Sequence, residues 1–171
     1  MKQTISVLVE NHPGVLARIS GLFSARGFNI DSLAVGETED PTVSRMTIVV
    51  DGDERTLEQV KKQLNKLIDV ITVQDLTKRK FIDRELIIIK VGVQNPKDRA
   101  QIIEIAEGMR ANVADLGMET ITIEAVGETS RIENLIELLR QFGIREIVRT
   151  GKIAMEIESK EKTKTNEEEE E

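Results

Sequence analysis

Asn11-His12-Pro13-Gly14-Val15-Leu16-Ala17-Arg18-Ile19-Ser20-Gly21-Leu22-Phe23-Ser24-Ala25-Arg26-Gly27-Phe28-Asn29-Ile30 is the stretch that decides how the chain is read. Ahead of it, Ile5, Val7 and Val9 alternate and share one face of a short strand. Pro13 fits the first turn of a helix, where the N–H it lacks would have no helical partner. Val15, Leu16, Ile19, Leu22 and Phe23 then recur at three- and four-residue intervals, the mark of an amphipathic helix. Arg26 in the last turn suits the negative end of the helix dipole, and Gly27 supplies a left-handed stop. Asn29 and Ile30 open the next strand. The result is a strand, a tight loop and a helix whose first turn carries free N–H groups.

Those donors, with the positive end of the dipole, suit a small carboxylate. Gly14 has no side chain to hold a ligand away from the backbone. Asn11 and Asn29 flank the helix, and each amide can both donate and accept. A strand-helix-strand unit is expected to bring them close together. The same residues also read as ordinary turn formers, since Asn, Pro and Gly dominate turns.

Outward from this stretch, residues 30–35 alternate as a strand, Thr38-Glu39-Asp40-Pro41 makes a turn, and residues 44–51 resume the alternation. Leu57, Val60, Leu64, Leu67 and Ile68 mark a second helix behind Asp53 and Glu54, and residues 70–73 close as a strand. The order βαββαβ has a known packing solution, the ferredoxin-like sandwich, with both helices on one side of a four-stranded antiparallel sheet. Its other face is expected to be bare and to carry Leu8, Leu33, Val35 and Val49.

After a basic linker at Lys78-Arg79-Lys80 the pattern repeats. Residues 84–93 read as a strand with Leu86 to Ile89 buried on both faces, and Pro96 opens a helix. Residues 113–116 and 120–126 read as strands about a turn at Gly117. Thr129 or Ser130 caps a helix that Gly143 ends, and residues 144–157 form a last strand, irregular near Gly151. The fold class is therefore α+β, two ferredoxin-like βαββαβ sandwiches in tandem. The domains fall at 1–77, a linker at 78–83, a second domain at 84–157 and a disordered acidic tail at 158–171.

Composition removes several functions. The 171 residues hold no Cys, no Trp and no Tyr, one His, and a net charge of −7. Thiolate chemistry and disulfides are excluded, and nucleic acid finds neither a basic footprint nor base-stacking aromatics. No apolar run approaches a membrane span, and the chain reads as cytoplasmic. A Ser-His-acid arrangement would have to use His12, the one histidine, which stands in a turn and reads instead as a solvated loop histidine. No P-loop or dinucleotide fingerprint follows any strand. Binding and interaction remain.

The residues also carry a resemblance. Ser6 to Asn11, Pro13-Gly14-Val15-Leu16, Gly21-Leu22-Phe23, Gly27-Phe28-Asn29-Ile30, Thr38-Glu39-Asp40-Pro41 and Ser44-Arg45-Met46-Thr47-Ile48 closely resemble the family of acetolactate (acetohydroxyacid) synthase small regulatory subunits. The likeness continues through Lys62 to Leu67, and more loosely through Arg84-Glu85-Leu86 and Arg110-Ala111 to Thr150-Gly151. It implies an N-terminal ACT domain, which senses amino acids, and a second α/β domain behind it. It further implies a non-catalytic chain in branched-chain amino acid biosynthesis, which activates a large catalytic subunit and makes it sensitive to valine. Thiamine diphosphate, Mg and FAD are then expected in that partner, with no cofactor or metal in this chain. Carried over residue by residue, Asn11, Gly14, Val15, Leu16, Asn29 and Ile30 fall on the effector-binding motif, shared between two ACT domains of a homodimer, with Asn29 coming from the neighbouring subunit. The other reading is a free-standing ACT-domain sensor acting on transcription or on another enzyme.

Overall fold

Strand β1 (Lys2–Glu10) buries Ile5, Val7 and Val9 on one face, as the alternation requires. The computed structural model to which it belongs describes residues 1–158, and the acidic tail expected beyond them lies outside the described residues. Helix α1 (Val15–Ala25) lays Val15, Ile19 and Phe23 onto that face, and α2 (Glu54–Leu64) adds Leu57, Val60 and Leu64. Strands β2 (Ile30–Glu37), β3 (Val43–Asp51) and β4 (Val70–Asp75) complete a sheet of order β2-β3-β1-β4. Val7 lies opposite both Met46 of β3 and Val73 of β4 in antiparallel register. Each fully buried Ile, Leu or Phe of this core contributes about 1.5–3 kcal/mol.

The second half repeats the order: β5 (Phe81–Gly92), α3 (Pro96–Gly108), β6 (Asn112–Leu116), β7 (Thr120–Gly127), α4 (Thr129–Arg140), β8 (Ile144–Arg149) and a short β9 (Ile153–Glu156). Its sheet has order β6-β7-β5-β8, with β9 also pairing β5. The core joins Ile87, Ile89 and Val91 with Ile121 and Ile123 under Ile102, Ala106, Ile132, Leu135 and Leu139 of the two helices. Residue contacts gather into two units: Met1–Asp31 and Glu37–Ile82 with residues 154–158, and Ser32–Gly36 with Asp83–Ile153. The architecture is the tandem pair of ferredoxin-like sandwiches expected from the sequence.

Several local expectations need correction. Pro13 lies ahead of α1, and Gly14 is its N-cap. Arg26 is the C-cap, with its guanidinium donating to Gln63 Oε1 at 2.9 Å. Gly27 does stop the helix at φ +69°, with Phe28 N–H donating to Phe23 O and Gly27 N–H to Ser24 O. Helix α2 ends at Leu64, so Leu67 and Ile68 lie beyond it and Ile68 is 88% exposed. Val49, expected on a bare face, is buried, as are Thr4, Ser6 and Thr47 beside it. That part of the face is occupied: Leu76, just past β4, is buried with its N–H on Thr4 O, and Ala154 N–H reaches Thr47 Oγ1. Val35 does remain exposed. In the second half Ile88 is exposed on the outer face rather than buried. Thr129 is the first residue of α4 and not its cap; the N-cap is Glu128, with no side-chain cap bond, and Thr129 donates its N–H and hydroxyl to the Asp83 carboxylate at 3.4 and 3.0 Å. The last strand is broken into β8 and β9 at Gly151, φ +76°.

Candidate functional site

The loop between β1 and α1 is fixed from both sides. Asn11 N–H donates to Thr42 O at 2.7 Å, and Asn11 Nδ2 donates to Pro41 O at 2.9 Å and Glu37 Oε1 at 3.2 Å. The receiving β2–β3 turn is itself tied by Asp40, whose carboxylate accepts from Thr42 N and Oγ1 at 2.9 and 2.6 Å. Those bonds, the hydroxyl first, hold the Asp40 carboxyl below the usual carboxylate range. With both N–H groups of its amide committed, Asn11 presents only its oxygen outward, an acceptor with no donor on it among the described residues.

Gly14 then turns the chain into α1 at φ +91°, the left-handed region that glycine enters without a side-chain penalty. A Cβ built there would meet nothing within 4 Å. Among the described residues no side chain caps this end of the helix. Val15 N–H makes a long bond to His12 O, 3.4 Å, and Arg18 N–H begins the helical ladder on Gly14 O. The N–H groups of Leu16 and Ala17 between them have no acceptor among the described residues. The positive end of an eleven-residue helix thus opens onto solvent behind a glycine.

The six residues expected at the site are not gathered in one place. Asn11, Gly14 and the first turn are contiguous. Val15 is buried, so its side chain belongs to the core and only its backbone faces outward. Leu16 is 45% exposed on the rim of the turn. Asn29 and Ile30 sit at the other end. Asn29 Nδ2 donates to Asp31 Oδ1 at 2.8 Å, and Asp31 pairs with Lys2 at the start of β1, whereas Asn11 follows its end. The nine residues of the strand lie between those positions, roughly 30 Å at 3.3 Å per residue. The expectation that one strand-helix-strand unit brings Asn11 and Asn29 together is therefore wrong for a single chain, because the helix returns antiparallel to the strand and leaves them at opposite ends.

A group that sequence reasoning missed lies directly beneath the loop. His12 is not simply solvated: Nε2 stands 2.9 Å from Asp69 Oδ1 and 3.3 Å from Glu10 Oε2, and Nδ1 stands 3.2 Å from Pro13 O. Asp69 is buried, and its other oxygen receives Arg18 of α1. The Pro13 carbonyl foremost raises the His12 pKa above its ordinary value; desolvation opposes it, and Asp69 and then Glu10 add to the rise. Glu10, His12 and Asp69 place three ligand-type atoms within 4.8 Å. Arg18 already neutralises Asp69, so the group is an ion-pair network and not a set of metal ligands. The available signal was a lone acid, Asp69, set between Ile68 and Val70.

Comparison with known proteins addresses both halves of the chain. Residues 5–72 match the model of the AHAS small subunit-like ACT domain, and residues 84–158 that of the small subunit of acetolactate synthase. The chain is 51% identical over 155 residues to a probable acetolactate synthase small subunit of Archaeoglobus fulgidus, covering 91% of this chain and 96% of that one. It is 53% identical over 152 residues to the acetolactate synthase small subunit of Mycobacterium leprae, covering 89% of each. Its fold is similar to the crystal structure of the acetolactate synthase small subunit from Thermotoga maritima, with a TM-score of 0.82, 39% identity, and 93% of this chain and 99% of that one covered. Among the described residues no helix is long and apolar enough to cross a membrane.

Proposed function

The chain belongs to the family of acetolactate synthase small subunits, and from that premise we propose that it is a feedback regulator whose effector is valine. It binds and activates a large catalytic subunit of branched-chain amino acid biosynthesis, which holds the thiamine diphosphate, Mg and FAD, and it makes that subunit sensitive to the end product. The chain itself supplies no step of the reaction. It acts in the cytoplasm as a homodimer paired through its ACT domains.

One observation carries the assignment of the effector site: the uncapped first turn of α1 behind Gly14. The free N–H groups of Leu16 and Ala17, at the positive helix end, take the carboxylate of an amino acid. Asn11, with its NH2 committed to Pro41 and Glu37, offers its oxygen to the ammonium group. Leu16 gives the isopropyl group an apolar rim. Asn29 and Ile30 of the same chain are too far away to join, so their part in the site requires a second copy. The effector consequently favours the dimer, and inhibits by binding one arrangement of it better than another. Calorimetric titration of valine, leucine and isoleucine into the purified chain, followed by reconstitution with its catalytic subunit, tests the reading. Valine must bind and inhibit, and a chain that binds none of the three overturns it. A free-standing sensor would co-purify with no catalytic chain.

A further inference from the structure

Asp69 and Glu85 are the only buried acids among the described residues, and they differ in what they touch. Glu85 receives a two-pronged bond from Arg149 at 2.6 and 3.1 Å, far from the loop in sequence and within the second unit. Asp69 instead joins three parts of the effector site. Its backbone carbonyl accepts from Glu10 N–H at 2.9 Å at the end of β1, its Oδ1 meets His12 in the loop, and its Oδ2 receives Arg18 from the first turns of α1. A buried carboxylate is costly, and an apolar residue of similar size is often at least as good for stability. Its position under the loop points to a role in shaping the site.

Resting on the proposed effector site, we propose that Asp69 is its positioning residue and that His12 makes effector binding pH-dependent, tight while the imidazole is protonated and weaker once it is neutral. An imidazolium has two N–H donors, which match its two acceptors, Pro13 O and Asp69 Oδ1. A neutral imidazole has one, so loss of the proton gives up either the clamp to Asp69 or the contact to the carbonyl just before Gly14. The positive charge also lies two residues ahead of Gly14, where it favours a bound carboxylate. Both effects have the same sign. The charged groups facing His12 are Glu10 from β1, Asp69 from the segment between α2 and β4, and, through Asp69, Arg18 from α1. Of these side-chain types, only histidine ordinarily changes charge between about pH 5 and 8. The raised His12 pKa agrees with this geometry.

Calorimetry of valine with the full-length chain at about pH 6 and about pH 8.5 tests the proposal. The wild type should bind about three- to tenfold more tightly at the lower pH, equivalent to a half-unit to one-unit change in the His12 pKa on binding. His12→Gln should bind equally at both, apart from the titration of the ligand's own amine, which both proteins share. Asp69→Asn should weaken binding at both and shift the NMR titration midpoint of His12 down toward the ordinary histidine value. An effect on folding alone would leave folded Asp69→Asn protein with unchanged affinity and overturn the positioning role. Wild-type affinity that ignores pH, or a His12→Gln protein that keeps the slope, overturns the pH dependence. If valine binds, Gly14→Asp abolishes it and the wild type is flat with pH, this inference alone falls. If valine binds at no pH, the effector reading falls and takes this inference with it.

Discussion

The four helices of the described residues begin in different ways. At α2 the Asp53 carboxylate accepts from Thr56 N–H at 2.8 Å. At α3 the Asn95 amide accepts from Asp98 N–H at 2.9 Å while Asp98 reaches back to Gln94 N–H. At α4 the Asp83 carboxylate takes the Thr129 hydroxyl at 3.0 Å. The first two ends carry a side-chain cap on the N-cap residue itself, as helix starts usually do. At α4 the N-cap Glu128 makes no such bond, and the Asp83 carboxylate from outside the helix accepts from Thr129 instead. Among the described residues the α1 end has no side-chain cap, only the long Val15 N–H bond to His12 O, and the residue at its cap is a left-handed glycine with open space around it. A cap of the ordinary kind stabilises a helix by about 1 kcal/mol. Leaving α1 without one keeps donors available to a ligand, so the difference between the helices is a difference between structure and function.

The largest expected effect comes from closing the open end. Gly14→Asp puts a carboxylate where the ligand's own would lie, and like charges in contact cost several kcal/mol, so valine response should fall at least about a hundredfold. The left-handed backbone adds roughly 1–2 kcal/mol of strain for any side chain, leaving the core residues of α1 in place. The measurement is valine inhibition of the reconstituted enzyme beside its activation without valine. A wild-type valine response in the variant would mean that the effector binds elsewhere.

Next in size is the residue that a single chain cannot bring to the site. Asn29→Ala removes an exposed amide whose described partner is Asp31 alone, so folding should be unchanged. If Asn29 serves the neighbour's effector, losing a hydrogen bond to a charged group should weaken valine by about tenfold or more. The ability of valine to drive dimerisation in dilute sedimentation should weaken in parallel. Unaltered affinity and dimerisation together would remove Asn29 from the site.

A smaller effect is expected at the closed ends. Asn95→Ala should lower stability by about 1 kcal/mol in denaturant titration, and Asp53→Ala should lower it in the same direction, with valine affinity untouched in both. A change in valine affinity in either variant would break the division between capped structural helices and the uncapped ligand helix.

Much of this was legible in the sequence because it is local. The spacing Val15, Ile19, Phe23 fixes the buried face of α1, and Gly27 fixes its end. What was not legible depends on contacts between distant segments. Leu76 and Ala154 cover part of a sheet face that the generic sandwich leaves bare, and neither residue advertises this in its own neighbourhood. Thr129 looks like a cap, yet it lies one residue inside the helix and its hydroxyl is taken by Asp83, 46 residues earlier. Asn11 and Asn29 flank one helix in sequence and stand at opposite ends of it in space. The Asp69 network joins residues more than fifty positions apart, so no periodicity reveals it.

The smallest effect distinguishes two closed ends from each other. Asp53 and Asn95 cap in the same geometry, but only Asp53 titrates. Its pKa is lowered, chiefly by the Thr56 backbone N–H and then by the Thr56 hydroxyl. A lowered carboxyl pKa means that the folded state prefers the charged form, so the contribution is present above the unfolded value and is lost as pH falls through the folded one. The cost of Asp53→Ala, measured near pH 7, should therefore shrink in acid below the ordinary aspartate range. The cost of Asn95→Ala should persist, because an amide does not protonate there. Asp53→Asn should keep the cap and abolish the pH dependence, asparagine being as good a cap as aspartate. A double-mutant comparison of the two caps at the two pH values reads this directly. Equal acid sensitivity at both caps would overturn the assignment of the acid dependence to the Asp53 carboxylate.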